Sequence, residues 1–219
     1  HTDRYATFPN AGIYKLKTDL KIDTVLLDDI DVIYSEVNKK SHKPGSVSFN
    51  HATGKVLNLT TNAAALKKEP DCRITLTSLF MNKAKLHTSF VFNLVDKNLS
   101  YSYRGHLDAL NLPSINAAVM PLAMIKINTG KIKSFDFDIK ANRYRSKGKI
   151  SLLYNDLKIT LLKPGAANDQ LKRMTLMSFF ANALIIKHNN PDNDHVPARF
   201  YLADFKRPPE YAFFKTMLK

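Results

Sequence analysis

Between Thr129 and Leu162 the chain reads TGKIKSFDFDIKANRYRSKGKISLLYNDLKITLL, and the alternation in this run restricts the possible folds more than any other feature. Phe135, Phe137, Ile139 and Ala141 fall on one side, and Ser134, Asp136, Asp138 and Lys140 on the other. Side chains of a β-strand alternate between two faces, so the run predicts a half-buried strand. A second strand follows a basic turn at Asn142–Lys149. Its apolar set is Ile150, Leu152 and Tyr154, then Leu157, Ile159 and Leu161. The set moves from even to odd positions at Asn155-Asp156. A one-residue slip would turn the whole apolar face to water, so a β-bulge is expected there.

The same reasoning extends along the chain. Residues 13–23 alternate and predict a strand, as does Val25–Val37. Asn38–Gly45 is turn chemistry. A strand beginning at Val47 and Phe49 is expected to turn near Thr53-Gly54 and continue through Val56, Asn58 and Thr60. Asn62–Asp71 holds one Ala-rich helical turn. Leu86, Thr88, Phe90, Phe92 and Leu94 form a strand face, and the chain returns through Leu99, Tyr101 and Tyr103. From Gly105 to Ile125 the alternation stops, and Pro113 and Pro121 punctuate a loop and one helical segment. Beyond Lys163-Pro164-Gly165 a helix over 171–187 is expected, capped by Asn168 or Asp169, with Leu171, Met174, Met177 and Leu184 on one stripe. A loop at Asn189–Pro197, a short strand at Phe200–Phe205 and a last helix over Tyr211–Leu218, opened by Pro208-Pro209, complete the chain. The predicted fold is mainly β: a strongly curved antiparallel sheet forming a groove or half-barrel over residues 1–163, with a helical tail over 164–219 packing on or capping it.

A chain of 219 residues with 44% hydrophobic and 24% charged residues is globular. Its net charge is +14, and the excess is uneven. Residues 1–125 hold 15 basic and 11 acidic side chains, and residues 126–219 hold 18 and 8. A basic half attracts polyanions. Cys72 stands alone, which excludes an internal disulfide and a cysteine metal cluster. The longest apolar run, Leu176–Ile186, is too short to span a bilayer. A chain opening on His1 is expected to be a processed or excised segment, with any anchor upstream.

Catalytic patterns are not found. The seven histidines form no HExxH, and no GxSxG, GxGxxG or P-loop occurs. Asp28-Asp29-Ile30-Asp31 and Asp192-Asn193-Asp194-His195 offer oxygen donors, but the second lacks the glycine and distal glutamate of an EF-hand. Both read as solvated turns, and neither a metal nor a cofactor is expected. Asn142–Lys149 interleaves cations with Tyr144 as single-strand binders do, yet it sits at a hairpin turn without an RNA-binding consensus, so nucleic acid is not expected as a partner.

Several strings together resemble the C-terminal region of AsmA-like envelope proteins. They are Thr129-Gly130-Lys131, Phe135-Asp136-Phe137, Gly148-Lys149-Ile150 and Tyr154-Asn155-Asp156-Leu157-Lys158-Ile159. Gly105-His106-Leu107-Asp108-Ala109-Leu110-Asn111, Asn189-Asn190-Pro191 and Phe213-Phe214-Lys215 also fit. The resemblance covers most of residues 86–219. It implies a non-enzymatic periplasmic protein, held at the Gram-negative inner membrane by an upstream helix and concerned with lipid handling and outer-membrane biogenesis. It further implies an apolar β groove for acyl chains. The candidates for its lining are Phe90, Phe92, Tyr101, Tyr103, Phe135, Phe137, Ile139, Ile150, Leu152 and Tyr154. Lys131, Lys133, Arg143, Arg145, Lys147 and Lys149 are the candidates for an anionic headgroup rim. The partners expected are phospholipid or another anionic lipid, and an envelope protein met through the C-terminal helix. The alternative is a structural or interaction module whose core is closed and carries no lipid.

Overall fold

A computed structural model describes residues 2–164, 171–173 and 188–218. The chain runs through a 3₁₀ turn (Tyr5–Thr7), α1 (Pro9–Tyr14), β1 (Lys21–Val37), β2 (Pro44–Thr60), α2 (Ala63–Lys68), β3 (Asp71–Phe80), β4 (Ala84–Asn93) and β5 (Tyr101–Leu107). It continues through β6 (Leu110–Asn111), a 3₁₀ turn (Leu112–Ile115), α3 (Asn116–Ala123), β7 (Ile125–Ala141), β8 (Arg145–Pro164), β9 (Leu171–Arg173), β10 (Phe200–Lys206) and α4 (Phe213–Met217). The strands form one mainly antiparallel, unclosed sheet in the order β1-β2-β3-β4-β5-β7-β8-β10, with β6 on β7 and β9 on β8. No helix among the described residues is long and apolar enough to cross a membrane.

The predicted bulge is present. Thr129 lies opposite Lys158 and Lys131 opposite Asn155, so β8 holds one residue more than β7 between these pairs. Asp156 takes up the excess with φ of 55°, a left-handed conformation that Asp and Asn tolerate better than branched residues. Across from it Gly130 has φ of 139°, which only glycine adopts freely. Thr129 Oγ1 donates to the Asp156 carbonyl at 2.6 Å. A similar irregularity divides β1 from β2, where Asp29 and His51 both have positive φ and His51 Nδ1 lies 2.6 Å from Asp29 Oδ1.

Three expectations are corrected. Residues 9–14 are helical and Lys15–Leu20 is not a strand; β1 starts at Lys21. Leu16 is half exposed, so its alternation with lysines has no buried face to serve. The turn expected at Thr53-Gly54 is instead the interior of a continuous β2. A Cβ on Gly54 would fall 1.9 Å from the Thr75 carbonyl oxygen, so glycine here permits close approach of β3. Residues 171–173, expected to begin a helix, pair with β8 as β9; the remainder of that expected helix, with its caps, lies outside the described residues. Elsewhere α2, α3, β10 and α4 fall where expected, although Pro208 and Pro209 precede α4 rather than open it.

One face of the sheet carries the apolar residues, and helices cover it from two ends. At one end α1 and α4 bring Phe8, Ala11 and Phe213 onto Cys72, Phe92, Tyr101, Tyr103 and Ile139. At the other, Leu112 and Ile115 join Leu86, Leu107, Leu110, Ile127 and Ile132. The β1–β2 turn holds α3 in place, since Asn38 Nδ2 donates to the Leu122 carbonyl at 2.7 Å and Ser41 Oγ to that of Pro121 at 3.1 Å. Helix ends leave such carbonyls without partners in the helix itself.

Candidate functional site

The register of β4, β5, β7, β8 and β10 sets the geometry of both faces. On the apolar side, Phe90 lies opposite Tyr103, then Ile139, Gly148 and Ala203. The next row runs Phe92, Tyr101, Ala141, Ser146 and Phe205. The four rings of β4 and β5 stack in a square, with centroid distances of 6.1 Å for Phe90–Phe92, 5.8 Å for Phe92–Tyr101, 6.0 Å for Tyr101–Tyr103 and 6.2 Å for Phe90–Tyr103. Aromatic cross-strand pairs of this kind stabilise a sheet beyond the area they bury.

This square is occupied by the chain itself. The Phe213 ring sits 5.4 Å from Tyr101, 5.8 Å from Phe92 and 5.4 Å from Phe8, and Phe8 meets Tyr101 edge-on at 5.8 Å. Phe92, Tyr101, Tyr103, Ile139 and Tyr154 are buried. Phe90, Phe137 and Ile150 pack partly buried against the first cluster, and Phe135, Phe137 and Leu152 against the second. Phe137 touches both, so the row Thr88, Gly105, Phe137 and Ile150 marks the seam between the two covers. Phe8 is invisible as a site residue in sequence, because it is the single extended residue between a 3₁₀ turn and a short helix, with no periodic signal. Burial raises the Tyr101 phenol and pushes that of Tyr103 up to about 12, so neither ionises near neutral pH.

The expected headgroup cations do not line this face. Arg145, Lys147 and Lys149 alternate with the buried Ser146 and with Gly148 and Ile150, and therefore project from the opposite, outer face. Arg145 forms an ion pair with Asp204, and the Lys149 ammonium lies 4.2 Å from the Phe200 ring centre. Lys131 and Lys133 are exposed on either side of buried Ile132. Arg143 is engaged internally: its guanidinium is 3.2 Å from Asp3 and 4.0 Å from the Tyr5 ring centre.

On the outer face, His87, His106, Asp136 and Ser151 form one cross-strand row, and Ser89, Arg104, Asp138 and Lys149 the next. They line a shallow depression of about 640 Å³. Lys140 lies directly opposite Lys147, a like-charge pair that is unfavourable in isolation. His106 Nδ1 is 2.6 Å from Asp136 Oδ1 and its Nε2 is 3.3 Å from Asp108 Oδ1. The hydrogen bond to Asp136, with the charges of Asp136 and Asp108, raises its pKa above 6.5. Both ring nitrogens face carboxylates, so the arrangement stabilises a cation rather than activating a nucleophile. A histidine raised in the folded state stabilises fully below its unfolded value, and the contribution disappears as pH rises through the folded value. A histidine NMR titration is expected to place His106 above 6.5 and Asp136→Asn to bring it down.

Sequence reasoning picks out His106 only within a family string, places Lys140 on a polar strand face without a role, and does not single out His87 or Arg104. Their alternation with Leu86, Tyr103 and Ile139 was the available signal. Neither a family model, nor a curated protein, nor a solved structure matches the chain.

Proposed function

We propose that this chain is a non-enzymatic, AsmA-like module of the cell envelope that works by docking through its surface, with its core closed by its own helices. The observation that carries this reading is the seating of Phe8 and Phe213 on the aromatic square of β4 and β5. An acyl chain in that position would have to displace both rings. The tail helix that was expected to meet a partner spends its buried side on this sheet, with Phe213 and Thr216 buried and Phe214 stacked on Tyr34. What remains for recognition is the basic outer face, where Arg104, Lys140, Lys147 and Lys149 suit anionic headgroups at about 1 kcal/mol per cation near a charged surface. A periplasmic location and a part in outer-membrane biogenesis go with the AsmA resemblance.

A second reading, lipid handling in a curved apolar groove, is favoured by the seam. Phe90, Phe137, Ile150 and Leu152 are only partly buried there, and each methylene laid on them would contribute about 0.8 kcal/mol. The two readings separate by mass spectrometry of lipid extracted from denatured, purified protein. Docking with a closed core predicts no stoichiometric phospholipid. Phospholipid recovered in proportion to protein, together with photo-crosslinks to Phe137 and Ile150, would establish the groove instead.

A further inference from the structure

The open sheet ends in two strands whose outer sides no other strand among the described residues pairs: β1 and β10. The two edges are chemically opposite. β1 carries Asp23, Asp28, Asp29, Asp31 and Glu36 against Lys21, in a chain whose net charge is +14. Glu36 is held by Lys215, whereas Asp23 and Asp28 are exposed. At the other end, β10 and the stretch of β8 that it pairs carry Arg145, Lys147, Lys149 and Lys206 against Asp204. Both edges also present apolar side chains to water. Leu202 is 76% exposed and Phe200 and Tyr201 about half exposed; on β1, Leu26 is 77% and Ile33 64% exposed. Unpaired strand edges are normally protected by charge, brevity or bulges. Here the Asp29 bulge interrupts β1 but leaves Lys21–Leu27 regular, a run of seven residues that matches the seven of β10.

We propose that the β10 edge of one copy of this chain docks on the β1 edge of a second copy and continues the sheet between them. Backbone hydrogen bonds supply the pairing, as in other strand additions. The acidic β1 and the basic β8–β10 edge fix which edges meet, since two β10 edges would set like charges together. The contact is head-to-tail, so each added copy leaves one free edge of each kind, and the assembly grows rather than stopping at a dimer.

Sedimentation velocity on the full chain tests this. The weight-average mass is expected to climb past the dimer with concentration. Association is expected to weaken at least roughly tenfold as salt rises from about 0.1 M to 1 M and the screening length falls from about 10 Å to 3 Å. Reversing charge on one edge (Asp23→Lys with Asp28→Lys) or on the other (Lys147→Glu with Lys149→Glu) is expected to leave monomers, and mixing the two variants to restore association. As a second measurement on lightly altered protein, Leu26→Cys and Leu202→Cys are oxidised separately and together. Cys72 is buried and does not interfere. Mixed dimers in excess over same-variant dimers support the contact. Monomers at every concentration, or Leu202→Cys dimers alone, overturn it, the latter in favour of a closed β10–β10 pair.

Discussion

Replacing Arg207 with alanine is expected to destabilise the fold by about 3 kcal/mol or more, because several carbonyl acceptors lose their donor at about 1–3 kcal/mol each, while Asp3 keeps Arg143 as a partner. Its side chain is 2% exposed. It donates to Asp3 Oδ1 at 2.5 Å, to the Pro209 carbonyl at 2.9 Å, to the Tyr211 carbonyl at 2.8 Å and to the Arg143 carbonyl. One guanidinium thus joins the segment before α1, the β7–β8 turn and the approach to α4. Lysine has three donors on one atom and cannot reproduce this fork, so Arg207→Lys is expected to recover little of the loss. Urea denaturation followed by circular dichroism measures both. Asp3 gives the site a pH dependence. Burial raises its pKa, but hydrogen bonds from Arg207 and Arg143 outweigh this and hold it below 3.8. A carboxylate depressed in the folded state contributes above its unfolded value and loses that contribution as pH falls through the folded one. Stability is therefore expected to drop on the acid side, and Asp3→Asn to flatten that part of the profile.

Phe213→Ala is expected to cost about 3–5 kcal/mol, as for other buried aromatic truncations, and to change what the sheet can bind. The ring fills the space between Phe8, Phe92 and Tyr101. Without it, α4 keeps the Phe214–Tyr34 stack and the Lys215–Glu36 ion pair at 2.8 Å, so the helix stays tethered while the aromatic square opens. Urea denaturation gives the stability change, and a fluorescent fatty acid reports the opening. Under the docking reading, the probe binds the variant and not the parent chain. Strong binding to the parent, unchanged in the variant, would favour the lipid-handling reading.

The residues that announced themselves in sequence are those whose burial alternates without interruption. The β7–β8 hairpin, its bulge at Asp156 and the facing rings of β4 and β5 follow from local pattern, because one face is packed and the other wet. β3 is legible in the same way: Cys72, Ile74, Leu76, Ser78 and Phe80 alternate within DCRITLTSLF. Residues 13–20 failed for the opposite reason, since they have the pattern without a surface to bury it. What covers the apolar face was not legible. Phe8 and Phe213 lie 205 positions apart, and nothing local indicates that they meet. Lys147 and Lys149 alternate with Gly148 and Ile150, and this phase sends them through to the side opposite the apolar face.

The Asp156 bulge has a consequence for how the longest hairpin finds its partner. A regular alternating ladder is degenerate, because sliding one strand by two residues keeps every apolar side chain on the same face. Gly130 and Asp156 remove that degeneracy. Each is a residue type that tolerates the backbone it adopts, and the Thr129–Asp156 hydrogen bond closes only when the two stand opposite one another. A two-residue slide would carry Asp156 away from Thr129 and Gly130 while keeping the apolar side chains on the same face. The irregularity in the ladder therefore supplies a mark by which the correct alignment differs from its near copies, alongside the register shifts at Ile127/Thr129 and Ile132/Ser134.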